Sequence, residues 1–205
     1  NDPNSNTTTL GISHLPFTVK GANSLAGLSE INVSHLELEN LSFPYCVSIN
    51  SLFINEESTG NTYNTADITV TLAHELGHYL GLHHVFSETE NENSCEDTDY
   101  CADTPTYNKK AYDMDCAYIE VNDPDNFTFA NLVNRENCLT GESFVSYNIM
   151  DYAISYSDRF TPEQRARIRH VLLYSPLIPG PKAGQEAGTR SAPSGLMKLP
   201  IRTAK

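Results

Sequence analysis

The chain has 205 residues, enough for one domain with a proper core, and its apolar share of 39% is ordinary. No run of about 18 apolar residues occurs, so no stretch is suited to cross a membrane as a helix. The formal charge of −13 argues against nucleic acid as a partner, and it is unevenly spread: residues 1–175 hold 8 Lys/Arg against 25 Asp/Glu, residues 176–205 five basic and one acidic.

The chain opens on the polar run Asn1-Asp2-Pro3-Asn4-Ser5-Asn6 with no visible secretory leader. It reads as a loop in mid-protein, whatever preceded it having been removed. Leu10-Gly11-Ile12-Ser13-His14-Leu15-Pro16-Phe17 alternates in places and ends at proline, as an edge strand does. Residues 18–44 predict mostly loop, with one short strand near Ile31–Leu38. Tyr45 to Ile54 carries the best strand pattern of the chain, and the turn-rich Glu56–Asn64 follows.

A helix is predicted from about Thr65 to Leu80. Asn64 can cap it, Asp67 in its first turn suits the dipole, and Ile68, Leu72, Leu76 and Leu80 predict a buried stripe. Within it begins the pattern His74-Glu75-x-x-His78-x-x-Gly81-x-x-His84. Residues four apart share a helix face, so His74 and His78 can aim imidazole nitrogens at one metal ion. Gly81 takes positive φ without steric cost and lets the chain turn, bringing His84 back as a third ligand. Three histidines leave one position open, as a catalytic zinc site requires, whereas a purely structural site wants a fourth protein ligand. Glu75, next to the first ligand, can reach a water at the metal. Two surface histidines on a helix would explain His-Glu-x-x-His alone, but not the added glycine and third histidine.

From Ser87 to Gly141 no periodicity lasts long enough to predict a long element. Cys95, Cys101, Cys116 and Cys138 fall here and predict two disulfides of open pairing, hence an extracytoplasmic setting: secreted, periplasmic or surface-anchored. Cys46, inside an apolar strand pattern, is expected to be a buried free thiol. Glu96, Asp97, Asp99 and Asp103 cluster within eight residues. Calcium favours such oxygen ligands, with Asp97, Asp99 and Asp103 as candidates, beside the plainer reading of a solvated acidic loop.

Thr161-Pro162-Glu163-Gln164 is a helix start with a Thr cap, proline at the first position and a capping-box Gln. The helix should reach about Tyr174, with Ile168, Val171 and Leu172 inward. Residues 176–205, rich in Pro, Gly, Ala and Ser, predict a loosely packed tail. His14, His35, His83 and His170 lack ligand spacing and read as surface or satisfied core residues.

Ser146-Tyr147-Asn148-Ile149-Met150-Asp151-Tyr152 resembles the methionine turn of metzincins. Together with Cys101-Ala102-Asp103-Thr104-Pro105 and Phe160-Thr161-x-x-Gln164, it resembles the pappalysin-type (cytophagalysin-like) branch over about residues 10–174. The resemblance implies an α+β zincin: an upper mixed sheet with the zinc helix to about residue 84, then an irregular lower subdomain over 85–175, with a cleft between. It implies Met150 as an apolar floor under the zinc and Tyr152 as the tyrosine near it. It makes Leu10–Phe17 the upper rim, where a protein or peptide substrate adds as an extended strand. Three departures stand out. Nine residues before the edge strand are too few for the sheet and helix such domains carry there, so part of the upper subdomain is expected to be missing. Ser157-Asp158-Arg159 stands where a cysteine is usual. Asp158 is the only carboxylate between Tyr152 and Arg159, which leaves substrate preference open.

The function expected is a zinc endopeptidase, in which a zinc-bound water attacks the peptide carbonyl, Glu75 serves as general base and Tyr152 steadies the oxyanion. The alternative is a non-catalytic zinc-binding surface or interaction domain that keeps the fold. Glu75 speaks against it, since a scaffold does not need that residue.

Overall fold

The computed structural model describes residues 9–31, 45–59, 64–152, 154–178 and 182. In chain order come β1 (Gly11–Ser13), β2 (Thr18–Val19), β3 (Glu30–Ile31), β4 (Val47–Ile49) and a 3-10 turn at Ser51–Phe53. Then follow α1 (Ile68–Tyr79), α2 (Lys109–Asn122), a 3-10 turn at Pro124–Asn126, α3 (Phe129–Leu132), β5 (Asn134–Glu136), β6 (Ser143–Val145) and α4 (Pro162–Tyr174). The architecture is mixed α and β, with small sheets and helices, as the sequence predicts.

The described strands pair two by two. β1 runs antiparallel to β4 with Ile12 opposite Ser48, and both strands lie on α1. β2 and β3 are parallel, and β5 and β6 form an antiparallel pair. The strand predicted over Tyr45–Ile54 is shorter than its pattern. The Asn50 side chain accepts a hydrogen bond from the Leu52 amide and turns the chain into the 3-10 segment. Of the strand expected near Ile31–Leu38, Ile31 is extended and residues 32–44 lie outside the described residues, His35 with them.

α2 is a correction to the expectation of no long element between Ser87 and Gly141. It is 14 residues long and buries none of them, so it has no continuous apolar stripe to read. Its start is fixed by Asn108, whose side chain accepts from the Ala111 amide at 2.8 Å and donates to the carbonyls of Asn91 and Ser94. The Tyr112 hydroxyl donates to the Leu132 carbonyl at 2.7 Å and fastens the helix to the body.

One disulfide forms rather than two. Cys95 and Cys138 are bonded across 43 residues of sequence, a closure that stabilises by about 4 kcal/mol. Cys101 and Cys116 are free, Cys101 buried among packed neighbours, and Cys46 is free but half-buried rather than buried.

α4 starts where predicted, with both hydrogen bonds of the Thr161–Gln164 capping box formed. Its buried face consists of Gln164, Arg167 and Val171, with Ile168 half-buried. Leu172 is 40% exposed, contrary to expectation, because the helix spends its inner face on polar side chains that hold loops. The described core has two clusters: Leu28, Val171 and Ile178, and Leu82, Val85 and Met150. Ile178 belongs to the segment expected to pack loosely, and so does the buried Leu177, so the tail's first residues join the core. Among the described residues no helix is long and apolar enough to cross a membrane.

Candidate metal centre and cleft

α1 begins later than predicted, because Asp67 rather than Asn64 is its cap. The Asp67 carboxylate accepts from the amides of Thr69 (2.8 Å) and Val70 (3.2 Å), and from Ser58 in the preceding loop. The leucine stripe is the second correction, since Leu72 and Leu76 are each 41% exposed. The buried residues of α1 are Thr71, Glu75 and Gly77. The face turned toward β1 and β4 thus carries the polar chemistry, and of the four-residue period Ile68 and Leu80 are half-buried, Leu80 against the Leu28–Val171–Ile178 cluster, while Leu72 and Leu76 face out.

The helix ends in a Schellman turn. Gly81, at φ 91°, donates to the His78 carbonyl, and Leu82 donates to the Gly77 carbonyl, both at 2.9 Å. The Arg167 Nε–H of α4 donates to the Gly81 carbonyl (2.6 Å) and its Nη2 to the Ala26 carbonyl (2.5 Å). This buried guanidinium fixes the turn that returns the chain to His84.

The three predicted histidines come together. Nε2 of His84 lies 3.2 Å from Nε2 of His74 and 3.1 Å from Nε2 of His78. Each ring has an acceptor behind it: His74 Nδ1 faces the Ile149 carbonyl (2.7 Å), His78 Nδ1 the Leu82 carbonyl (2.9 Å) and His84 Nδ1 the Glu88 carboxylate (2.5 Å). Acceptors require the proton on Nδ1, which leaves three Nε2 lone pairs facing one point. Lone pairs so close repel unless a cation lies between them. A tetrahedral zinc with bonds of about 2.0–2.1 Å separates its nitrogens by roughly 3.3–3.4 Å, so the donor set fits zinc. Burial, then the closeness of the His84 ring, holds His74 down to about 4 and His78 to about 3, so both stay neutral and available.

Glu75 is buried beside this cluster, and burial pushes its carboxyl up to about 7. Its cover is β1. A β-carbon at Gly11 would lie 2.7 Å from Glu75 Cγ, so only glycine lets the rim strand approach the carboxyl this closely. Met150 is fully buried under α1, and a β-carbon at Gly77 would lie 2.3 Å from its Sδ. The Met150 amide donates to Asn148 Oδ1, while the side-chain amides of Asn148 and Gln164 bond each other twice, at 2.9 and 3.2 Å. The methionine turn is thereby tied to the start of α4.

Asp151, fully buried, accepts from the Tyr107 hydroxyl at 2.5 Å, from the Ser146 hydroxyl and from the Tyr152 amide at 2.8 Å. The Arg135 guanidinium, 3.8 Å away, balances its charge. This network sets the direction of Tyr152, whose ring centroid is 4.7 Å from that of His84 and 6.0 Å from that of His74. Burial first, then the charges of Glu88 and Glu75, raises the Tyr152 hydroxyl above its usual range, so it stays a donor. Sequence reasoning missed Glu88, Arg167, Arg135 and Asp151. Only Glu88, an acid four residues after a histidine ligand candidate, carried a readable signal.

A cleft of about 730 Å³ opens over these groups, lined by residues 9–13 on one rim and by Lys109 and Tyr152 on the other side. The three calcium candidates form no such cluster: among the described residues the one grouping of three metal-ligating side chains is the histidine set. Asp99 is buried and spends its oxygens on the Cys101 amide and the Thr104 hydroxyl; Asp103 accepts from the Glu163 amide. Of the remaining histidines, His170 bonds the Asn23 carbonyl, His14 faces the Cys46 carbonyl and His83 stands edge-on to Tyr100.

A family model described as pregnancy-associated plasma protein-A, a peptidase family, matches residues 46–173. Two proteins named extracellular metalloprotease, from Arthroderma benhamiae and Trichophyton verrucosum, are each 36% identical over 99 residues. A third so named, from Arthroderma otae, is 35% identical over 99 residues. Each match covers 48% of this chain and 29% of the relative, so the chain spans under a third of those proteins. No solved structure matches.

Proposed function

Because the chain belongs to the pregnancy-associated plasma protein-A family of metallopeptidases, we propose that it forms the catalytic domain of a zinc endopeptidase, with His74, His78 and His84 as ligands. One observation carries this reading: three Nε2 lone pairs converge beside a buried carboxyl at the floor of an open cleft. Bound there, zinc would supply Lewis acidity to the scissile carbonyl and to the attacking water.

Glu75 takes the proton from that water as its oxygen bonds to the carbonyl carbon. It then gives the proton to the amine nitrogen as the C–N bond breaks. Burial raises the Glu75 carboxyl and a cation held by the histidines would lower it, and the two opposed influences leave it able to take up and return a proton. The Tyr152 hydroxyl donates to the oxyanion that develops on the carbonyl oxygen. Met150 packs beneath the histidines and keeps their rings in place without binding.

The substrate is an unfolded or loop segment lying extended beside β1, whose residues 9–13 border the cleft. On this reading the upper subdomain runs to about residue 84 and the lower over 85–175. An extracytoplasmic location is supported by the relatives' name and by the Cys95–Cys138 bond.

The test is cleavage of a generic unfolded protein by the zinc-loaded chain, with chelator and with Glu75→Ala in parallel. Turnover should vanish in both controls, with Glu75→Ala retaining zinc. Turnover by Glu75→Ala at the wild-type rate would end this reading, and a folded, zinc-loaded chain without turnover would favour a binding-only domain.

A further inference from the structure

The wall of the cleft facing β1 carries a cation that the proposed hydrolysis does not use. Lys109 is the first residue of α2, and its Nζ lies 5.2 Å from the centroid of the Tyr152 ring and 5.9 Å from that of Phe86. Among the described residues lining the cleft it is the only Lys or Arg. The setting makes that notable, since residues 1–175 hold 8 basic residues against 25 acidic.

The dipole of α2 by itself does not favour a lysine there. Lys109 and Lys110 occupy the first turn of α2, where the helix dipole repels positive charge. Each has a mostly exposed carboxylate for company: Asp113 beside Lys109, and Glu90 at 3.9 Å from Lys110. The Lys110 pair is exposed and stabilises little, whereas the Lys109 side chain is 25% exposed, hydrogen-bonds Asp113 and lies over two rings. The backbone nevertheless holds Lys109 in position. Its amide donates to the Ser87 carbonyl at 3.3 Å, and Asn108 clamps the preceding turn to Asn91 and Ser94. Asp113, the two rings and the backbone thus hold one ammonium at the edge of the site, where it is the only lysine or arginine among the described residues lining the cleft.

We infer that Lys109 is a specificity-determining residue, whose ammonium receives an acidic side chain of the substrate next to the scissile bond. The other charged groups lining the cleft leave this role to it. Glu75 and the three histidines are committed to the reaction, and Asp151 is buried and balanced by Arg135. The opposite rim presents Leu10 and Ile12, which accept apolar neighbours. A flanking Asp or Glu would exchange Asp113 for the substrate's carboxylate above the two aromatic rings, a charge-assisted contact in a half-enclosed place. This inference rests on the peptidase reading.

The experiment uses one peptide scaffold that the chain cleaves, varied one position at a time to Asp, Gln or Lys on both sides of the bond. The readout is the ratio of kcat/KM for Asp over Gln, in wild type, Lys109→Met and Lys109→Glu. A ratio cancels any loss of folded protein. Wild type should favour Asp at one position by about tenfold, the scale of a charge-assisted hydrogen bond. Lys109→Met should bring that ratio near one, and Lys109→Glu should turn the preference toward Lys. A wild-type ratio of one at every position, or a preference that survives Lys109→Met, overturns the inference and leaves the peptidase reading standing. No cleavage of any scaffold by zinc-loaded chain overturns both.

Discussion

Glu88 Oε1 lies 2.5 Å from Nδ1 of His84, and this contact makes the third histidine differ from the other two. His74 and His78 lean on backbone carbonyls that no side-chain substitution removes, whereas His84 leans on a carboxylate. Glu88→Ala should therefore weaken zinc binding about 10- to 100-fold, read by competition with a chromogenic chelator. Glu88→Gln keeps an acceptor oxygen and should lose less. Equal affinity for Glu88→Ala and wild type would show that His84 needs no partner.

Gly11 carries a second prediction, this time about turnover. A methyl group there meets Glu75 Cγ at 2.7 Å and its Oε1 at 3.0 Å, so Gly11→Ala must displace the carboxyl or the rim strand. A shift of about 1 Å in a reacting group costs up to about 100-fold in rate. Gly11→Ala should thus lose roughly tenfold to hundredfold in kcat while its zinc content stays at the wild-type level. Metal loss in the variant would mean that the strand supports the histidines instead.

Acid sensitivity of the zinc-free protein follows from the depressed histidines. Unfolded, each imidazole binds a proton near its ordinary 6.5; folded, His74 waits until about 4 and His78 until about 3. The unfolded state binds more protons in that window, so their contribution is complete above about pH 6.5 and fades as pH falls toward 3. Glu75 and Asp99, both pushed up to about 7 chiefly by burial, act in the opposite sense. The clean readout is therefore a difference. Urea denaturation of the zinc-free double variant His74→Gln/His78→Gln should show it gaining on wild type as pH falls from 7 to 5. A gap that is constant with pH would refute the assignment.

The histidine cluster was legible in the sequence because its geometry is local. Four-residue spacing on a helix and one glycine turn bring His74, His78 and His84 together almost regardless of the rest. The methionine turn and the Thr161 cap were legible for the same reason, each being a short segment that makes its own hydrogen bonds. What failed was reading faces and partners. The leucines of α1 have the period of a buried stripe, yet Thr71, Glu75 and Gly77 take the inner side. α2 lacks a stripe altogether and depends on Asn108 and Tyr112 reaching distant carbonyls. Nothing in the spacing of four cysteines marks Cys95 and Cys138 as the pair that meets.

Arg167 is far from His84 in sequence yet holds the Gly81 turn that leads to it. Its guanidinium is buried, stacks 5.3 Å from the Tyr100 ring centroid and donates to the carbonyls of Gly81 and Ala26. Arg167→Met keeps much of the volume but leaves the buried Gly81 carbonyl without this donor, at a cost of about 1–3 kcal/mol, while Ala26 is exposed and its carbonyl can turn to water. The variant should melt several degrees lower in zinc-free form. It should also bind zinc more weakly, because the Gly81 turn then holds His84 less firmly. A purely structural arginine would lower the melting temperature and leave affinity unchanged in protein still folded at the temperature of measurement. Chelator competition well below the melting transition separates the two roles, and a loss of affinity there marks Arg167 as a positioning residue of the metal centre.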